Sequence, residues 1–299
     1  MFPLKRLIAD NLPSAKPELW ADLSGTLWRR FEAWVNTSVD PSWPKRPLIT
    51  TIAPERLMLE VVPDDVIGKP IARFGVYEFA VSQLVRQYLE PGDVFVDVGA
   101  NIGYYSVIAA AAVGPSGTVY AFEPSARVRA RLVRNVELNE MHQIKVRPEA
   151  VSDQSGVVRL VEPQGLGNDG LAYVQTGAGG AGVEVRAVRL DELLELCSSI
   201  PQLLKVDVEG GEPQVFLGAH GLLARSDAPS IIFESFEIAR DAAILRQHGY
   251  QVLQPALQNG VVRLTRDLET PGYRRWEAPN FLAVKSQRGL RFAEARVID

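Results

Sequence analysis

Three apolar runs in this chain close on acidic side chains: Asp97 in VFVDV, Asp207 with Glu209 in LLKVDVEGG, and Glu234 in SIIFE. A fourth acid, Glu123, ends TVYAFE and is followed by Pro124. Between Asp97 and Glu123 lies a tight glycine turn, Gly99-Ala100-Asn101-Ile102-Gly103. A glycine turn that leads from a buried strand into a helix brings backbone N–H groups and a helix N-terminus to the carboxyl edge of a sheet, where open α/β sheets bind ligands. Glycine suits such a turn because a Cβ would block a ligand's approach to the backbone. An acid at the end of the next strand can accept both hydroxyls of a ribose. The ligand these residues suit is therefore a nucleoside derivative.

Two departures narrow its chemistry. The turn reads G-x-N-x-G, with Asn101 where a pyrophosphate-binding G-x-G-x-x-G has its second glycine. Asp97 adds a negative charge just before the turn, which repels a pyrophosphate and suits an ammonium or sulfonium group. S-adenosylmethionine fits this set better than NAD. A glycine turn that merely packs a sheet is the plainer alternative, and the acids on both sides of the turn weigh against it.

Asp207 and Glu209 stand two apart at a strand end and point the same way. Methyl transfer to a hydroxyl needs the acceptor held in line and its proton removed, which a carboxylate can do. Asp207 and Glu209 are the catalytic candidates, and Asp207 borders the cofactor as well. Strand-end acids also cap helix N-termini, and that structural role is assigned to Glu212. Three carboxylates, Asp207, Glu209 and Glu234, with no further ligand are weak grounds for a divalent cation, so no metal is expected.

The elements that must carry these residues follow from periodicity. Residues 94–98 are a β-branched and aromatic run that reads as a strand buried on both faces. A helix over 104–113, stopped by Gly114-Pro115-Ser116-Gly117, and a strand over 118–122 complete the first unit. Residues 75–90 read as a preceding helix whose start, at Tyr77 and Glu78, lies near the carboxyl edge. Ser125 is an N-cap for a basic helix over 126–139, with Arg127, Arg129, Arg131 and Arg134 on a solvated face. Further strands are expected over 144–151, 203–208 and 230–233, with helices after Pro213 and over 236–248 closed by Gly249. Residues 157–161 and 183–188 alternate like an antiparallel pair around a loop with seven glycines, 165–182. Residues 250–253 and 281–284 complete the sheet as an antiparallel edge pair, with a possible extra strand at 261–264.

The first 75 residues differ in kind. They hold nine of the 20 prolines and four of the five tryptophans, and residues 20–34 have one apolar helical face. They read as an α-rich extension acting as a cap, a lid or a contact between copies in a homo-oligomer; residues 50–62 have room for one or two short strands. The catalytic domain is expected over 76–286 and a tail over 287–299. At 299 residues the chain can bury a large core. A net charge of −4 argues against a general nucleic-acid binder, and Cys197, the sole cysteine, leaves no disulfide and reads as helix filler. No membrane span or secretory signal is read, and the expected location is the cytoplasm.

Taken together, DVGANIGYYS, AFEP, the LDELL run, KVDVEGGE and IIFE, between about Gly92 and Glu234, resemble the FkbM-type family of S-adenosylmethionine-dependent methyltransferases. The resemblance implies a class I methyltransferase fold, Rossmann-like and doubly wound, with seven strands in the order 3-2-1-4-5-7-6 and the last antiparallel. It also implies O-methylation of sugars, glycans or natural products. By the same resemblance Asp97, Gly99, Asn101 and Gly103 cradle the methionine part of S-adenosyl-L-methionine, and Glu123 holds the ribose. Ala150 and Val151 border the adenine, while Asp207 and Glu209 face the transfer site. Gly211 replaces the usual small residue after DVEG, which loosens that turn. Two alternatives stand beside this reading. One is a non-catalytic protein of the same fold, which would show erosion at the turn or at Glu123. The other is an NAD(P)-dependent oxidoreductase, which the missing G-x-G-x-x-G disfavours.

Overall fold

The computed structural model describes residues 46–162, 172–175, 182–193, 199–258, 261–269, 279–285 and 297–298. The predicted helix at 20–34, most of the glycine-rich loop and Cys197 lie outside the described residues. At the centre is β3 (Val94–Val98), buried at all five positions, as a strand covered on both faces must be. It pairs in parallel with β4 (Thr118–Phe122) on one side and β10 (Leu203–Val206) on the other. Outward from these run β5 (Ile144–Arg147) and β11 (Ser230–Glu234), followed by β14 (Asn280–Lys285), β12 (Tyr250–Gln258), β13 (Val261–Thr265) and β15 (Val297–Ile298).

The order β5-β4-β3-β10-β11-β14-β12 reproduces the 3-2-1-4-5-7-6 arrangement, with β14 antiparallel to both neighbours. This is a Rossmann-like class I fold. The sheet does not end at β12, however. β13 pairs antiparallel with it and β15 pairs in parallel with β13, so the predicted edge pair is interior and part of the predicted tail belongs to the sheet.

Apolar clusters fill both faces. One joins α3 (Tyr104–Val113) and α2 (Phe79–Tyr88) to the sheet. The other packs α5 (Leu190–Leu193), α6 (Glu212–Leu217), α7 (His220–Ala224) and α8 (Ile238–Gln247) on the opposite side. α3 is buried almost all round, as its YYSVIAAAAV sequence requires. The first cluster also takes in Ile52, Leu59, Val61 and Ile71, from the hairpin β1 (Leu48–Ile52) and β2 (Leu57–Val61) and from α1 (Gly68–Phe74). The hairpin is tied to α4 (Ala126–Leu138): the Glu60 amide donates to Asn135 Oδ1 at 2.7 Å, and Asn135 Nδ2 donates to the Ile102 carbonyl at 2.8 Å.

Several predicted boundaries move for physical reasons. The helix expected from Gly75 starts at Phe79, because Gly75 ends α1 in the left-handed region and Glu78 is itself left-handed at φ 39°. The strand expected over 144–151 splits at Pro148, which has no N–H for a ladder. Its second half, β6 (Ala150–Val151), joins a separate four-stranded sheet with β9 (Val183–Val188), β7 (Gly156–Val161) and β8 (Tyr173–Gln175), in which β7 and β9 form the expected antiparallel pair. The arginine face of α4 is only half solvated: Arg127 and Arg134 are exposed as expected, while Arg129 and Arg131 are partly buried. Arg129 donates to the carbonyls of Glu123 and Pro124, Arg134 pairs with Glu60 at 2.6 Å, and Arg131 lies 3.8 Å from Asp65. Among the described residues no helix is long and apolar enough to cross a membrane.

Candidate active site

The carboxyl ends of β3, β4 and β10 open into a cavity of about 1000 Å³. Gly99, Asn101, Glu123, Ala150, Val151, Asp207 and Glu209 all line it, so seven of the nine residues singled out from sequence meet there. The remaining two, Asp97 and Gly103, are not on its wall. Asp97 is 1% exposed on β3, and Ser106 Oγ donates to its Oδ2 at 2.6 Å while Oδ1 is buried with no hydrogen-bond partner. Burial raises its carboxyl to about 6, against the lowering influence of Lys205 and the Ser106 hydrogen bond.

The glycine turn is shaped by the protein's own packing as well as by access to the cavity. The amides of Gly99 and Ala100 both donate to the Phe122 carbonyl, at 3.0 and 2.9 Å, which welds the turn to β4. A Cβ on Gly99 would lie 1.8 Å from the carbonyl oxygen of Asp207, and Gly99 has φ 81°. Gly103, at φ 87°, faces Leu132 of α4 in the same way, at 3.2 Å. Both glycines thus permit strand-to-turn and helix-to-turn contact, where steric clearance for a ligand was expected. Asn101 takes a left-handed φ of 51°, and its Oδ1 accepts from the Ile102 amide at 2.7 Å, a local bond that lets asparagine stand at such a position.

Glu123 lies at the mouth of β4 and clamps the turn. Its Oε2 accepts from the Asn101 amide and its Oε1 from the Ser125 amide, both at 2.9 Å. Each carboxylate oxygen keeps a further lone pair for a ligand hydroxyl. Burial pushes the carboxyl to about 7, opposed by those two amides. Ser125 caps α4, as its sequence position predicts.

The second half of the site is a network around Lys205, a lysine inside the buried strand LLKV and only 1% exposed. Its Nζ donates to Asp207 Oδ2 at 2.7 Å and lies 4.5 Å from the centre of the Tyr105 ring. Burial alone would lower the lysine's pKa; Asp207, Glu78 and Asp97 outweigh it and leave it raised. Asp207 follows β10 and Glu209 stands in the left-handed region at φ 53°, so their convergence comes from the loop and not from strand alternation. Asp207, Glu209 and Glu234 each bring a carboxylate oxygen within 4.8 Å of the others. Despite burial, Lys205 and a hydrogen bond with Glu234 hold Asp207 low, whereas burial and the facing Asp207 hold Glu234 well above its usual range, protonated at neutral pH. Burial, then Asp207 and Glu212, raise Glu209 to about 7. Glu212 accepts from the amides of Val208 and Gly210, so it ties down the loop before the helix that it begins and does not cap the helix N-terminus as expected.

Sequence reasoning missed most of this inner layer. Glu78 receives hydrogen bonds from Tyr105 Oη at 2.5 Å and Asn280 Nδ2 at 2.8 Å, and burial raises it to about 7. A lysine in an apolar strand was the available signal for Lys205, since lysine is almost never fully buried unless paired. Asn280 joins from 202 residues away; it opens the run NFLAV, which is similar to the family's but gave it no role at the site.

The methyltransferase FkbM domain model matches residues 97–252. Over 205 residues the chain is 31% identical to 31-O-demethyl-FK506 methyltransferase FkbM of Streptomyces tacrolimicus, covering 55% of this chain and 75% of that protein. Over 139 residues it is 32% identical to hexuronic acid methyltransferase AglP of Haloferax volcanii, covering 46% of this chain and 54% of the relative. The crystal structure of methyltransferase FkbM from Methylobacillus flagellatus KT is 14% identical, with a TM-score of 0.41, over 70% of this chain and 56% of that one.

Proposed function

Because the chain belongs to the FkbM methyltransferase family, we propose that it transfers the methyl group of S-adenosylmethionine to a hydroxyl oxygen of a sugar, glycan or natural-product acceptor. The observation that carries this reading is the shared cavity. Glu123 and the Gly99 turn, suited to a nucleoside, line the same space as Asp207 and Glu209, suited to a hydroxyl. The names of two relatives, one for 31-O-demethyl-FK506 and one for a hexuronic acid, support acceptors of this kind.

The residues present fit the cofactor. Glu123 keeps lone pairs for the ribose hydroxyls beyond its two amide bonds, Ala150 and Val151 offer an apolar wall for the adenine, and the Asn101 turn borders the methionine part. Bound there, S-adenosylmethionine supplies an activated methyl group on a sulfonium. Asp97 and Asp207 contribute negative charge at and beneath the turn. Glu209, poised near neutrality, takes the proton of the acceptor hydroxyl as that oxygen is methylated. Asp207 is held ionised by Lys205 and orients the acceptor, and protonated Glu234 donates a hydrogen bond beside it.

Calorimetry tests the cofactor. S-adenosylmethionine and S-adenosylhomocysteine should bind and NAD(H) should not. Glu123→Gln should weaken binding by about 1.5–3 kcal/mol, the range for hydrogen bonds to a charged group. Binding of NAD(H) with no response to the sulfonium ligand would refute the reading.

A further inference from the structure

We infer that the acceptor is a non-anionic polyhydroxylated molecule, unlike the hexuronic acid in the name of one relative, and that the site turns away acceptors bearing a carboxylate or phosphate near the reacting hydroxyl. The inference rests on the methyl-transfer reading above and specifies its substrate class.

The charges on the cavity wall carry it. Glu123, Glu149, Asp153, Glu184, Asp207 and Glu209 face the cavity, against two guanidinium groups, Arg159 and Arg240. Arg159 pairs with Glu184 of the same wall at 3.3 Å, Arg240 pairs with Glu237 at 2.8 Å and Asp241 at 2.9 Å, and Glu149 is paired with Arg147 at 3.0 Å, so the acids left without a basic partner in these pairs are Glu123, Asp153 and Glu209. Lys205, the cation nearest the transfer residues, is buried behind the wall and bonded to Asp207 at 2.7 Å. An anion entering this space therefore meets carboxylates and, among the described residues, no uncommitted cation, and it loses its hydration in return for like charge.

A second observation points the same way. Gln214, on the same wall, has a buried Oε1 with no hydrogen-bond partner among the described residues. That oxygen needs a donor, which a hydroxyl provides and a carboxylate or phosphate anion does not. Gln154, Gln175 and Ser152 add neutral groups that can donate and accept.

The test needs no knowledge of the natural acceptor. Two aza analogues of S-adenosylmethionine, with nitrogen in place of sulfur, carry either a 2-hydroxyethyl or a carboxymethyl arm, so that each extends from the cofactor into the acceptor space. Calorimetry on the full chain at low ionic strength, with S-adenosylmethionine titrated in parallel, reads their affinities. The hydroxyethyl compound should bind about tenfold tighter or more, since one like-charge contact at reduced dielectric is worth at least that. Added salt and Glu209→Gln should both narrow the ratio. If S-adenosylmethionine binds while the carboxymethyl arm is accepted as well as the hydroxyethyl arm, or both are refused alike, the charge inference fails and the methyl-transfer reading stands. If S-adenosylmethionine itself does not bind, both fail.

Discussion

Replacing Lys205 with methionine isolates the electrostatic centre of the site. Methionine keeps the length and apolar bulk of the stem, so the lost element is the ammonium group that bonds Asp207 at 2.7 Å and neutralises Glu78 and Asp97. The lysine is 1% exposed and the Asp207 side chain 23%, so this pair behaves as a buried one. Removing one partner of a buried pair costs about 3–5 kcal/mol, because the other charge is left without compensation. Here the cost depends on pH. In the native protein Lys205 holds Asp207 below its ordinary value, a contribution present above the unfolded pKa and lost as the pH falls through the folded one. Without Lys205, burial and the neighbouring acids raise the Asp207 carboxyl, and the sign reverses: the folded variant keeps a proton that the unfolded chain releases, so stability is lost as pH rises. With one extra proton worth about 1.4 kcal/mol per pH unit, the deficit should shrink from about 4 kcal/mol near pH 8 to about 0.5 kcal/mol near pH 5.5. Urea unfolding followed by circular dichroism at the two pH values measures it. A deficit equal at both pH values, or below about 0.5 kcal/mol near pH 8, would refute the assignment of Lys205 as counter-ion to the carboxylate group.

Glu209→Gln should lower the methyl-transfer rate at saturating cofactor by about 10²–10⁴-fold, the usual contribution of a general base, while leaving cofactor affinity within a few-fold. In the native enzyme the rate should rise with pH through about 7, where Glu209 ionises, and this limb should vanish in the variant. Gly99→Ala should destabilise by about 2–5 kcal/mol in thermal unfolding, since its Cβ meets the Asp207 carbonyl at 1.8 Å and the residue is left at φ 81°. In the ligand-free protein Glu78, Asp97, Glu123 and Glu209 all have raised carboxyls, at about 7, 6, 7 and 7. Their stabilising protons are bound below the unfolded values and released as pH climbs, so the unfolding free energy should fall between about pH 4.5 and 7; a rise over that window would contradict the burial of these groups.

What could be read from the chain beforehand was what local chemistry determines. The strand at 94–98, the Ser125 cap and the α-helix after it, and the left-handed Gly249 at the end of α8 all follow from a few neighbouring residues. The sheet order was legible only through the family resemblance, because no local pattern states which strand lies beside which. Boundaries failed where one residue outweighed its neighbours. Pro148 cut a strand that hydrophobicity alone would continue, and left-handed Glu78 delayed a helix whose apolar periodicity begins earlier.

The site was legible in the same uneven way. Five of the seven predicted residues that line the cavity, Gly99, Asn101, Glu123, Asp207 and Glu209, sit on turns and strand ends where glycine, asparagine and acid suggested a ligand, while Ala150 and Val151 came through the family resemblance. Lys205, Glu78, Tyr105 and Asn280 form a layer beneath them that touches cavity-lining residues only from behind. Their meaning is pairwise: a buried lysine is intelligible once Asp207 faces it, and a left-handed glutamate once Tyr105 and Asn280 hold its carboxylate. Such pairs join elements from opposite ends of the chain, so a linear reading sees each member as an isolated oddity. The same layer decides the protonation states above it. Lys205 selects Asp207 as the ionised member of the pair with Glu234, which leaves Glu209 as the carboxylate whose proton affinity lies near neutrality. On the proposed mechanism, the choice of base among three neighbouring acids is therefore made by a residue that does not line the cavity.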